Sequence, residues 1–171
     1  GADEQLAGYG GNDLPLYTGL FRQLKWKTLT VESIAYKSKH GSWPIGFLLG
    51  AVQSILPTPL LKIFPINYQV AKKEIPAWIK GEGKKEIKQS LNSLRDSLLV
   101  QLSGQPLPSL LRYEDRNSMA FSIESRVPFM DVHVVEYNLS IPEKWIYHKG
   151  ERKYVLRESF KGIVPDTILQ R

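Results

Sequence analysis

An all-helical fold (all-α) is expected for this 171-residue chain, on three observations. Ile87, Leu91, Leu94, Leu98 and Leu102 recur at helical spacing, and shorter stretches repeat the pattern elsewhere. Prolines stand at the edges of such stretches: Pro106 and Pro108 precede one, and Pro142 follows another. No alternating run is long enough to read as a convincing strand. With no internal repeat, residues 1–171 read as one helical domain piece.

In chain order, Ala2 to Tyr9 reads as a short helix ended by Gly8, Gly10 and Gly11. Asp3 and Glu4 stand in its first turn, where acids suit the helix dipole. Leu16, Leu20 and Leu24 fit one helix face; Leu29, Ser33, Tyr36 and Lys37 a second; Phe47, Ala51 and Ser54 a third. Nothing between Leu14 and Leu61 offers chemistry, and that region reads as scaffold. Pro65, Pro76, Gly81 and Gly83 then break the chain. The amphipathic helix is expected from Lys84 to Leu102, ending before Gly104. A charged helix opens at Leu110 and Leu111. Val132, Val135 and Leu139 mark a helix capped by Asp131 and stopped before Pro142. Lys144 to Lys149 reads as a short extended loop around an aromatic anchor. Tyr154 to Phe160 is the last long helix and Pro165 to Leu169 a final short one.

A hydrophobic content of 42% and a charged content of 23% place the chain with ordinary globular proteins. A bilayer span needs roughly 20 apolar residues, and the most apolar stretch, Trp43 to Leu61, is interrupted by Pro44, Pro57 and Pro59. No membrane association is expected. No signal peptide opens the chain at Gly1, so the cytoplasm is the expected location, and a start without methionine suggests a fragment. The absence of cysteine excludes disulfides, thiolate metal sites and a cysteine nucleophile within these residues. His40, His133 and His148 lack metal-ligand spacing. A net charge of +6 leaves room for an anionic partner, nucleotide phosphates among them. Lys72, Lys73, Lys80, Lys84, Lys85 and Lys88, interleaved with Tyr68 and Trp78, have the composition of a phosphate or single-strand binder. Lysines without arginine forks or a known binding fold argue weakly for that role. The stretch reads instead as a solvated loop leading into a charged helix, and nucleic acid is not an expected partner.

Leu110 to Asp131 is the densest run of charge beside apolar sequence. Leu111, Asp115, Ser118 and Ser122 recur at helical spacing, and Asp115 and Met119 lie four residues apart on one side. Ile123 to Val127 reads as a short extended piece, with Glu124 and Arg126 pointing one way. Five charges, Glu114, Asp115, Arg116, Glu124 and Arg126, therefore sit beside a helix end and a turn. Two readings are open: a buried or half-buried ion-pair network that fixes an interhelical angle, or a substrate site.

The run YEDRNSMAFSIESRVPFMD, Tyr113 to Asp131, resembles the signature near the end of the synthetase domain in glutamine-hydrolysing asparagine synthetases. Gly1-Ala2-Asp3-Glu4 followed by Gly8-Tyr9 is similar to the tail of that family's Ser-Gly-x-Gly-Ala-Asp-Glu loop. Lys153-Tyr154-Val155-Leu156-Arg157 resembles the lysine-to-leucine-arginine helix near its end. The three stretches fall in the family's order and reach both ends of the chain. The resemblance implies the helical C-terminal portion of an adenine-nucleotide α-hydrolase-like (ATP pyrophosphatase) synthetase domain, whose sheet lies upstream. It implies ATP and magnesium as cofactors, with Asp3 and Glu4 at the phosphates and Asp3 as a magnesium ligand. Asp115, Arg116, Met119, Glu124 and Arg126 would support the substrate site. No residue here is assigned a catalytic role.

By the same resemblance, the whole enzyme activates aspartate with ATP, and ammonia released from glutamine in an N-terminal domain displaces AMP. The sequence holds no Ser-Gly-Gly-x-Asp-Ser cradle and no N-terminal cysteine, and it stops short of the family's trailing lysine. The chain alone is therefore expected to be inactive without its glutaminase and nucleotide-binding parts. Uncovered helix faces would also leave an apolar patch larger than the few hundred Å² usual for a monomer, favouring a homo-oligomer. The alternatives are a related amide-forming enzyme of the β-lactam synthetase or lasso-peptide cyclase type, and a non-catalytic basic helical binding module.

Overall fold

A computed structural model describes residues 1–56, 92–104 and 106–169. Helices dominate, as expected, with one two-stranded antiparallel sheet. Numbered over the described residues, the helices before residue 57 are α1 (Ala2–Gln5), α2 (Asp13–Arg22), α3 (Trp26–His40) and α4 (Ile45–Gln53). Next come α5 (Leu94–Ser103), α6 (Leu107–Met119), α7 (Val132–Ser140) and α8 (Glu143–Ile146). Strands β1 (Tyr147–His148) and β2 (Glu151–Arg152) lead into α9 (Tyr154–Ser159) and α10 (Asp166–Leu169). The basic Lys72–Lys88 stretch lies outside the described residues, as does the first half of the expected Lys84–Leu102 helix.

The centre is α2, packed against α3, α4 and α5. Residues 13–20 are all buried, so this short helix has no solvent face over most of its length. Leu16, Tyr17 and Leu20 meet Leu29 of α3, Ala51 of α4 and Leu94 and Leu98 of α5 in one core. Helix α2 ends at Arg22 because Leu24 turns into the left-handed region, φ 55°, and emerges 66% exposed. Leu24 is thus not the third residue of a buried stripe. Asp131 caps α7 through the N–H groups of His133 and Val134, as expected.

Three local readings differ from the sequence expectation. Helix α1 stops at Gln5 and not at Tyr9, because Ala7 adopts a left-handed φ of 56° and Leu6 spends its carbonyl on Lys153 N–H. Helix α5 begins at Leu94 and not at Lys84, because Ser93 is extended, with φ −153° and ψ 164°, and its hydroxyl accepts from Asp96 N–H. Lys144 to Lys149 is not a loop but the last turn of α8 followed by β1. Exposed apolar side chains gather along the central run and its flank: Tyr113, Met119, Phe121, Ile123, Val132 and Tyr137 are each more than half exposed.

Candidate active site

The structure brings together the three stretches that carry the family resemblance. From the first, Gln5 donates its side-chain amide to the Phe129 carbonyl at 2.6 Å, in the signature run. Asn138 of α7 donates to the Gln5 Oε1 at 2.7 Å, so Gln5 is buried and held from two sides. From the third, the Lys153 ammonium reaches Asp3 Oδ1 at 2.6 Å. Lys153 stands at the entry to α9 with a left-handed φ of 55°, and its N–H donates to Leu6 O. Both members of the Asp3–Lys153 pair are partly exposed, at 42% and 28% for the side chains.

Gly8 makes that meeting sterically possible. Its N–H donates to Asp3 O at 2.8 Å, which folds the chain back over α1. A Cβ at this position would collide with Asp3 Oδ1 and with Lys153 Cε. Beside the pair lies a cavity of about 430 Å³, lined by Phe129, Leu156, Phe160 and Val164, with Lys153 and Arg157 as its cations. Arg157 donates to Arg152 O and Leu169 O, which ties α9 to the end of the described chain. An apolar cleft with a few fixed polar groups is the usual form of a small-molecule site.

Glu4 turns inward. It is 1% exposed, and its carboxylate accepts from the Tyr9 hydroxyl at 2.5 Å. The same bond from Tyr9, with lesser help from burial, pushes the phenol up to about 12. Glu4 is therefore engaged within its own turn, whereas Asp3 faces the cleft's cation.

The central charges do not form the buried network that one reading of the sequence foresaw. Glu124 and Arg126 pair at 3.0 Å with side chains 70% and 81% exposed, and Glu114 accepts from Ser125 at 3.2 Å. Asp115, Arg116 and Met119 are exposed, and neither Asp115 nor Arg116 ion-pairs with any described residue. Exposed pairs of this kind contribute little to stability, so the run's charges are not explained by holding helices together.

Two buried acids went unnoticed in the sequence. Asp13, 2% exposed at the start of α2, accepts from Arg152 at 2.5 Å. Burial works against the Arg152 cation, but Asp13 more than offsets it and raises the guanidinium pKa. Burial, then the Asp13 carboxylate, push the Tyr147 phenol well above its usual range. Glu32 of α3, 5% exposed, accepts from the backbone N–H groups of Lys149 and Gly150. Lys153, the first residue of a family-like stretch and the neighbour of Arg152, was the one signal that pointed to this corner. Among the described residues no group of three or more His, Asp or Glu side chains is arranged to hold a metal.

The comparisons with known proteins agree with this convergence. The asparagine synthase family model matches residues 1–171. Asparagine synthetase [glutamine-hydrolyzing] 3 of Bacillus subtilis (strain 168) is 45% identical over 65 residues, 38% of this chain and 11% of that protein. The probable asparagine synthetase [glutamine-hydrolyzing] of Acanthamoeba polyphaga mimivirus is 29% identical over 108 residues, 57% of this chain and 20% of that protein. The Homo sapiens asparagine synthetase [glutamine-hydrolyzing] is 42% identical over 60 residues, 33% of this chain and 11% of that protein. The chain thus spans between 10% and 20% of the length of the curated relatives it matches. No solved structure matches it. With the match running from Gly1 to Arg171 across all three converging stretches, the chain belongs to the asparagine synthase family.

Proposed function

We propose that this chain supplies one edge of an ATP-dependent amide-forming site that makes asparagine from aspartate, with ammonia drawn from glutamine. An aspartate carboxylate oxygen attacks the α-phosphorus of ATP, an acyl–phosphate bond forms, and pyrophosphate leaves with the broken α–β anhydride. Ammonia then attacks the acyl carbon, AMP leaves, and the nitrogen sheds a proton. The observation that carries the reading is the Asp3–Lys153 pair beside an apolar cleft.

Asp3 suits a phosphate-bound magnesium ion, which keeps several waters and needs only one or two protein carboxylates. When bound, magnesium would neutralise phosphate charge. The chain's own contribution is positioning. Lys153 keeps the Asp3 carboxylate oriented in the free site, and because the pair is partly exposed, opening it costs little. An arriving phosphate can therefore take the ammonium as its partner, where a fixed positive charge stabilises the charge developing on the leaving pyrophosphate. Glu4 sets the turn that presents Asp3 and is read as an indirect contributor. Asp115, Arg116, Met119, Glu124 and Arg126 are read as facing substrate or the remaining synthetase segments, because the described residues leave them exposed.

The test uses the longer protein in which this chain is joined to the remaining synthetase segments. Asp3→Asn should lower pyrophosphate release from ATP and aspartate by about 10²-fold or more, while glutamine hydrolysis stays near normal. Residues 1–171 alone should release no pyrophosphate. Near-normal release by the variant, or robust release by the isolated chain, would overturn the reading.

A further inference from the structure

We propose that Glu32 is a positioning residue for the Asp3–Lys153 pair: by clamping the turn between β1 and β2, it fixes where the Lys153 ammonium stands. The inference rests on reading that pair as the phosphate-facing edge of the site. Glu32 lies in α3, more than a hundred residues from its partners, yet each carboxylate oxygen accepts a different backbone N–H. Oε1 takes Lys149 and Oε2 takes Gly150, both at 2.9 Å.

The turn has a physical need for such a clamp. Its two central residues, Lys149 and Gly150, both have positive φ, 49° and 73°, the conformation of a two-residue hairpin turn. Glycine adopts it freely, but lysine does not. Strands of two residues cannot hold a hairpin by themselves. The exposed Lys39–Glu151 pair, 3.3 Å, adds little. Hydrogen bonds to an ionised acceptor are about twice as strong as neutral ones, so a buried carboxylate meeting both turn amides is the main restraint on the tip. Gly150 supplies the positive φ without strain, and the tip lies beside the backbone of Ala35 and Tyr36.

What the turn orients lies immediately downstream. Arg152 of β2 pairs with buried Asp13, and the next residue is Lys153, whose N–H bonds Leu6 O and whose ammonium meets Asp3. Four residues, Gly150 to Lys153, thus join the clamp to the residue that carries the ammonium. Burying an acid in a scaffold helix is costly unless it is fully hydrogen-bonded, and among the described residues its hydrogen bonds go to this hairpin.

The experiment records backbone hydrogen exchange and the Asp3 carboxyl and Lys153 side-chain resonances by NMR on the 171-residue chain. It compares the native chain with Glu32→Ala and the milder Glu32→Gln, which keeps one acceptor. Glu32→Ala should speed exchange at Lys149, Gly150 and Lys153 by about tenfold or more, leaving Ser97 and Gln101 of α5 unchanged. The Asp3 and Lys153 resonances should move toward those of unpaired residues, with Glu32→Gln between native and Ala. If Lys149 and Gly150 loosen while the Lys153 amide and both side-chain signals stay native, Glu32 clamps only its turn and the proposal is overturned. Should Glu32→Ala unfold the chain, all amides exchange together, and Glu32→Gln decides by the same criterion. The phosphate-site reading fails separately: normal pyrophosphate release by Asp3→Asn would remove it without touching the coupling between Glu32 and Lys153.

Discussion

Replacing Arg152 with methionine should destabilise the fold far more than loss of a surface charge. Arg152 is the described cation on Asp13, which is 2% exposed and roots the fully buried first turns of α2. Removing one partner of a buried pair costs about 3–5 kcal/mol, because the remaining charge is left without compensation. The Arg152 side chain keeps 29% of its exposure, so water would reach part of the vacated space. That places the expected loss at the lower end, about 3 kcal/mol. With a urea slope of about 2 kcal/mol/M, the unfolding midpoint should fall by about 1.5 M. The double variant Asp13→Asn, Arg152→Met should recover a large share, since a neutral amide replaces the stranded carboxylate. A midpoint shift under about 0.5 M, or a double variant no better than the sum of the singles, would show the pair to be energetically unimportant.

Packing, capping, titration and association give the other expected outcomes. Leu98→Ala, at a position 1% exposed between α2 and α5, should cost about 2–5 kcal/mol in the same urea assay. Asp131→Ala removes the acceptor for two N–H groups at the start of α7 and should cost about 1 kcal/mol, whereas Asp131→Asn should restore most of it. Tyr9 has a folded pKa of about 12 against an ordinary 10, so the protonated phenol favours the folded state below the ordinary value. That contribution should vanish as pH rises from 10 to 12, and Tyr9→Phe should flatten this part of the stability profile. Sedimentation of the 171-residue chain should show concentration-dependent association, which Phe121→Ser and Ile123→Ser weaken; a monomer at all concentrations would contradict the uncovered-face argument.

Helix periods and end signals carried much of the fold in the sequence. Leu94 and Leu98 are buried as their spacing implied, and Asp131 marks a helix start where capping chemistry expects it, whereas the charged helix opens at Leu107, ahead of the expected Leu110. Local pattern could not show where Leu24 would leave its stripe, because apolar spacing carries no information about a left-handed backbone turn. The resemblance pointed to Asp3, and Lys153 stood in one of the family-like stretches, but only the fold joins them across 150 residues. Glu32 was invisible for a related reason. In sequence it is one acid in a helix of mixed polarity, and its partners are backbone amides, which leave no compositional trace. The charged run misled in the opposite direction: dense charge suggested burial, yet Glu124 and Arg126 are among the more exposed side chains.

Gly8 gives the Asp3–Lys153 pair an unusual dependence. Nothing about the residue is acidic, basic or polar beyond its backbone, yet the space it leaves empty is the space in which carboxylate and ammonium touch. A single methyl group there would force the Asp3 carboxylate and the end of the Lys153 side chain to shift, with the net charge of the chain untouched. Electrostatics at this corner is therefore set by shape: the strength of the pair is written in a volume of one carbon atom, on a residue with no charge of its own.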